Sequence, residues 1–130
     1  MSGEFGYVLD ASAVLVYLQR EPGYEKVRDA LARGAAVSTV NLAEVYAKLL
    51  DRNLPWGEIG RGLEALGLSA IPFTDEDARE SASLYPKARR LGLSLGDRAC
   101  LALGVRLGLP VLSADRAWKG FEGVKLEMVR

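Results

Sequence analysis

The sequence predicts a single-domain α/β protein, a three-layer α/β/α sandwich around a mostly parallel central sheet. Three observations point there. Short apolar segments alternate with longer stretches of helical pattern from one end of the chain to the other. Most of the short segments lack polar alternation, as strands covered on both faces do. Finally, 130 residues at 49% hydrophobic content suit one core, and no composition shift marks a linker, so residues 1–130 are read as one domain.

The first strand is expected near residues 5–10, FGYVLD, followed by a helix over 12–20. The apolar run Ala11–Leu18 is too short to span a bilayer, and Asp10 precedes it where a secretory signal would carry positive charge. It is read as a buried element. A helix over 23–33 should stop at Gly34, before a strand over 35–39. Helices over 41–52 and 56–67 lead to a strand over 69–73. The next helical pattern, 75–91, contains Pro86, which should kink or split it, and ends at Gly92. A helix over 95–107 stops at Gly108, and strands follow over 110–115 and 124–129. The last one alternates, with Lys125 and Glu127 facing one way, and is therefore expected at an edge.

Composition removes several function classes. Seventeen basic and 17 acidic side chains give no net charge, so any contact with nucleic acid must be local. One cysteine, Cys100, allows no internal disulfide and fits a reducing cytoplasm. The chain has no histidine, which excludes a Ser-His-Asp triad, a His-paired cysteine nucleophile and a histidine base. An ordinary zinc site cannot be assembled either. A bound metal would be held by oxygen, favouring Mg²⁺ or Mn²⁺.

Four acids gather on this outline. In open α/β sheets, functional groups collect beyond the carboxyl ends of the strands. Asp10 ends the first strand and Asp115 follows the fourth. Glu44 and Asp97 fall in the first turns of helices that begin on that same side. Each has a plain alternative. Asn41 to Glu44, Ser94 to Asp97 and Thr74 to Asp77 all fit the spacing of a capping box, and Asp77 is read as purely structural. Glu44 could pair with Lys48 one turn on, while Asp10 and Asp115 could cap the elements after them. Against this, Asp97 heads an inward stripe with Cys100, Leu101 and Gly104, while Arg98, Ala102 and Arg106 form a wetter line. Asp10 closes an apolar strand in mid-sheet. Unpaired acids in such places are costly, and crowded ones repel; a divalent cation relieves both problems.

The strings YVLDASAVLVYL, STVNLAEVYAKL, LSLGDRACLALG and LPVLSADRAW, in this order, resemble the PIN-domain family. More narrowly they resemble VapC-type ribonuclease toxins of prokaryotic toxin–antitoxin pairs, and the likeness runs from Tyr7 to about Val129. The resemblance implies a PIN-like fold, a catalytic and metal-binding set of Asp10, Glu44, Asp97 and Asp115, and supporting hydroxyls at Ser113 and Ser12. It implies RNA phosphodiester hydrolysis with Mg²⁺ or Mn²⁺, with Lys48, Arg98, Arg116 and Lys119 as candidates to steer phosphate. It also implies a homodimer and a cognate antitoxin. Tyr24, Trp56 and Tyr85 are candidates for such apolar contact surfaces, with core placement as their ordinary reading.

Competing readings are a non-catalytic PIN-like interaction module, a PIN nuclease of RNA processing, and a phosphohydrolase or phospho-receiver. The last is disfavoured by Asp-Ala-Ser at residues 10–12, which lacks the second Asp of the phosphohydrolase signature.

Overall fold

Strands and helices alternate through the computed structural model, which describes residues 5–130; the first four residues of the expected 1–130 domain lie outside it. In chain order the elements are β1 (Tyr7–Leu9), α1 (Ala11–Leu18), α2 (Tyr24–Ala32), β2 (Ala35–Ser38), α3 (Thr39–Asp51) and α4 (Trp56–Glu64). They continue with β3 (Ser69–Ile71), α5 (Asp75–Ser83), α6 (Tyr85–Arg90), α7 (Leu95–Leu107), β4 (Val111–Ser113) and β5 (Leu126–Met128), with a 3₁₀ turn at Arg116–Trp118.

The sheet order is β3-β2-β1-β4-β5, and all four pairings are parallel. β5 lies at an edge, as its alternation implied. From β1 the chain winds outward through β2 to β3, then crosses back to β4 and β5 on the other side. The winding therefore reverses between β1 and β4, and a crevice opens beyond their carboxyl ends. Asp10 and Ser113 stand at that point.

Strands hidden on both faces explain the missing alternation. Leu9 faces a core built with α1 to α4, including Val14, Val27, Val45 and Ile59. Its neighbour Val8 faces the opposite core, with Ala88 of α6, Leu101 and Leu103 of α7, and Trp118. Both residues are fully buried. Helices thus cover each side of the sheet, giving the three expected layers. Gly104 allows α7 to lie close on β4, since a Cβ there would stand 2.5 Å from Val111 Cγ2.

One local expectation is sharpened and three need correction. Pro86 splits the 75–91 helix outright: α5 ends at Ser83, and Pro86 sits in the first turn of α6, where its missing N–H costs nothing. α3 starts at Thr39 without a connecting loop, because Ser38 ends β2 and also caps α3, accepting from Val40 N at 3.2 Å. Asn41 is therefore not a cap, and Glu44 falls in the second turn. The line Arg98, Ala102, Arg106 is not wet. It packs on α5, with Ala102 fully buried and Arg106 bonded to Asp77 at 2.7 and 3.0 Å. Lastly, Trp56 and Tyr85 are exposed rather than in the core, while Tyr24 is half-buried against the first core.

Candidate active site

Asp10 is the centre of the crevice. It is only 3% exposed and caps α1, with Oδ1 accepting from Ala13 N at 2.8 Å. Ser12 Oγ lies 2.7 and 2.8 Å from its two oxygens, and Ser113 Oγ donates to Oδ2 at 2.7 Å. Each hydroxyl is itself fixed by the backbone: Ser12 Oγ accepts from Ala114 N at 3.0 Å, and Ser113 Oγ from Asp115 N at 3.0 Å. β1 and β4 are thereby tied together through one carboxylate. Burial drives the Asp10 carboxyl up to about 6; the Ala13 N–H and the two serines pull it back, and the Asp97 charge pushes it further up.

Above Asp10, the N-terminal parts of α3 and α7 meet. Asn41, 1% exposed, donates from Nδ2 both to Glu44 Oε1 and to the Gly96 carbonyl, each at 2.9 Å. Its Oδ1 is buried without a partner. The Glu44 carboxylate lies against Gly96, where a Cβ would come within 2.6 Å of Glu44 Cδ. Asp97 follows at once. It forms a true capping box with Ser94, accepting from Ser94 N through Oδ2 at 2.9 Å while Ser94 Oγ accepts from Asp97 N at 3.2 Å. Beneath these groups lies Cys100, fully buried. Desolvation pushes its thiol well up, and the charges of Asp10, Asp97 and Glu44 push it further. It is a neutral floor, not a nucleophile.

Three of the four acids therefore surround one buried thiol. Asp115 stands apart: it is exposed, and Oδ1 caps the 3₁₀ turn by accepting from Ala117 N at 2.9 Å. Its backbone N–H joins it to Ser113 and so to Asp10. Among the described residues none of the four acids makes an ion pair, including Glu44 with Lys48, whereas Asp77 is fully engaged by Arg106. The cations divide. Lys48 and Lys119 are exposed, and Arg116 donates to the Arg130 carbonyl at 3.3 Å. Arg98 is committed elsewhere: it donates to the Ser81 carbonyl at 3.1 Å and lies 5.1 Å from the Tyr85 ring centre, on the α5–α6 side.

Sequence reading missed two members of this arrangement, Asn41 and Gly96. Asn41 was visible only as a candidate cap. Gly96 carried a usable signal, because glycine in the first turn of a helix is unfavourable unless something must come close.

A family model described as PIN domain matches residues 7–124. The chain belongs to the PIN-domain family. Solved structures agree on the fold. VapBC2 from Rickettsia felis, bound to a DNA fragment from its promoter, matches with TM-score 0.73 at 17% identity, covering 94% of this chain and 97% of the other. A toxin–antitoxin complex from Klebsiella pneumoniae matches with TM-score 0.76 at 16% identity, covering 96% and 98%. PAE2754 from Pyrobaculum aerophilum matches with TM-score 0.63 at 18% identity, covering 95% and 84%. No curated protein sequence shows significant similarity to the chain.

The donor set of this PIN domain suits a hard divalent cation. Asp10, Glu44 and Asp97 offer only oxygen and make no ion pair among the described residues, and the Asp97 cap uses Oδ2 alone, leaving Oδ1 available. Among the described residues, no three His, Cys, Asp or Glu side chains stand close enough to enclose an ion as they are placed. An ion held by three of these acids would require side-chain adjustment, at Asp97 or Asp115. None of the helices among the described residues is long and apolar enough to cross a membrane.

Proposed function

We propose that this PIN domain is a divalent-metal-dependent endoribonuclease, the toxin of a toxin–antitoxin pair. The observation that carries this reading is Asp10: a buried carboxylate at the winding reversal of the sheet, raised to about 6, facing Asp97 and bonded only to serines and a backbone N–H. Capping α1 needs only one of its oxygens, and an uncharged cap would spare the cost of burying a carboxylate.

Asp10, Asp97 and Glu44 would hold Mg²⁺ or Mn²⁺, with Asp115 joining from the β4 side. Bound there, the ion supplies charge and Lewis acidity for phosphodiester hydrolysis. The chain's own groups do the rest. Ser12 and Ser113 orient the Asp10 carboxylate by donating hydrogen bonds to it. Asn41 and Gly96 fix where Glu44 points, so that it can bind metal or position the attacking water. Solved structures described as toxin–antitoxin complexes share this fold, which supports a cognate antitoxin and, with the family resemblance, a homodimer.

Incubation of antitoxin-free protein with mixed RNA separates the readings. Cleavage is expected with Mg²⁺ or Mn²⁺, should stop with EDTA, and should be absent in Asp10→Asn. A well-folded sample that cuts nothing, or cuts equally in EDTA, sinks the nuclease reading and leaves the non-catalytic module. Cleavage confined to a precursor RNA would move it to RNA processing.

A further inference from the structure

Beside Ser12 a cleft of about 280 Å³ opens between α1, α3 and the end of the chain. Three cations border it: Lys48 and Arg52 from α3, and Arg130 after β5. We propose that this cleft is a phosphate subsite, holding the backbone of an RNA strand next to the bond presented to Asp10. The proposal rests on the ribonuclease reading and extends it.

The charges in the cleft are arranged, not merely present. With the Gln19 amide oxygen turned toward Arg52, it accepts from both terminal guanidinium nitrogens, at 2.9 and 3.2 Å. The Gln19 nitrogen then donates to Glu21, whose carboxylate in turn accepts from Arg130 at 3.4 Å. Arg130 also donates to the Pro22 carbonyl at 2.9 Å. One hydrogen-bonded row therefore braces both guanidinium groups along one wall. Glu21 is the only carboxylate in it, and it faces Arg130. Arg52 is braced by a neutral amide and keeps its full charge, and Lys48 makes no ion pair among the described residues. Two uncompensated positive charges remain in a chain of zero net charge.

The floor is apolar, with half-buried Leu15 of α1 offering surface to a ribose or base above the buried Val16. Ser12 connects the cleft to the acidic centre, since the hydroxyl that lines it also bonds Asp10. A ligand that fits must carry negative charge at one point and reach the acidic centre at the next. A polynucleotide does so through successive phosphates once metal neutralises the acids. A basic peptide would be repelled by Lys48 and Arg52, and an acidic peptide lacks the ribose and base that the apolar floor suits.

Fluorescence anisotropy of a labelled single-stranded oligoribonucleotide tests the proposal with the intact chain, in Ca²⁺, a hard cation that neutralises the acids without the octahedral geometry of Mg²⁺. Arg52→Ala and Lys48→Ala should each weaken binding about ten-fold, the scale of one charge-assisted contact. Each should also lower the salt-dependence slope by about 0.7, the value for one phosphate of a single strand. Arg79→Ala, an exposed arginine of α5 outside the cleft, should change neither, and Arg52→Lys should recover part of the loss. The subsite is overturned if Arg52→Ala and Lys48→Ala bind like the parent, or if Arg79→Ala loses as much. It is also overturned if the cleft variants keep RNA but release a protein partner. Cleft-dependent binding by a protein that never cuts RNA with Mg²⁺ supports the subsite and overturns the nuclease reading instead.

Discussion

The carboxylate of Glu44 lies flat against Gly96, so that a single methyl group on Gly96 would overlap it, with Cδ only 2.6 Å away. Asn41 locks this contact from the other side by donating to both residues. An acid on α3 is thereby set in register with Asp97 on α7.

Gly96→Ala should push Glu44 out of place. A displacement of about 1 Å in an active site can cost on the order of a hundred-fold in rate. Overpacking should take about 1–3 kcal/mol from stability. Asn41→Ala should act in the same direction, lowering kcat with little change in KM. Steady-state kinetics beside thermal melts would check both; unaltered turnover in Gly96→Ala would remove Glu44 from the mechanism.

Asp10 titrates at about 6 when folded, against 3.8 ordinarily. Between those values the folded chain holds a proton that the unfolded chain has lost, so stability falls as pH rises. The contribution is fully present below about pH 4 and is lost through about pH 6, a difference of about 3 kcal/mol. In EDTA, Asp10→Asn should therefore melt higher than the parent at pH 7.5, with the gap closing toward pH 4. Bound metal holds the carboxylate ionised, so the acid limb of activity should lie below pH 6 and move lower as the metal concentration rises. A variant that melts well below the parent at neutral pH contradicts this account.

Metal should stabilise the folded chain, because the unfolded chain cannot present converging acids. At a concentration one hundred times the dissociation constant, the gain is about 2.7 kcal/mol, or several degrees of melting temperature. Differential scanning fluorimetry with Mn²⁺ should show the rise in the parent and its loss in Asp10→Asn. An equal rise in both would place the ion elsewhere.

Away from the site, Asp77 is almost fully buried and bonded to Arg106. Burial raises its carboxyl, but the Arg106 and Thr74 bonds outweigh that and hold it below the usual range. Its stabilisation is therefore present above about pH 4 and lost as pH falls through the depressed value. Arg106→Ala strands the buried carboxylate and should cost about 3 kcal/mol. RNA cleavage per folded molecule should be unaffected, which activity normalised to a circular-dichroism signal would check.

The layers, the edge position of β5 and the boundaries of α7 were legible because burial on two faces and helical periodicity leave direct traces. Asp10 was legible for a similar reason: an acid ending an apolar strand is anomalous without tertiary context. Other features depended on contacts between distant segments. Asn41 reads as a cap until Ser38 is known to end β2 and start α3 with no loop between them. Arg98 reads as a free surface cation until α5 packs on α7 and engages it. The capping role of Asp115 was legible, but that the element it caps is only a short 3₁₀ turn was not.

The pairing of β1 with β4 also bears on biosynthesis. Residue 10 reaches its hydroxyl partner at Ser113 only after 103 further positions have been made. Asp97 and the Gly96 rest for Glu44 also arrive late. A nascent polypeptide emerging from the ribosome thus cannot tie residue 10 to its distant serine until the β4 segment has followed it out, and a fragment that stops before Gly96 lacks the assembled group of acids.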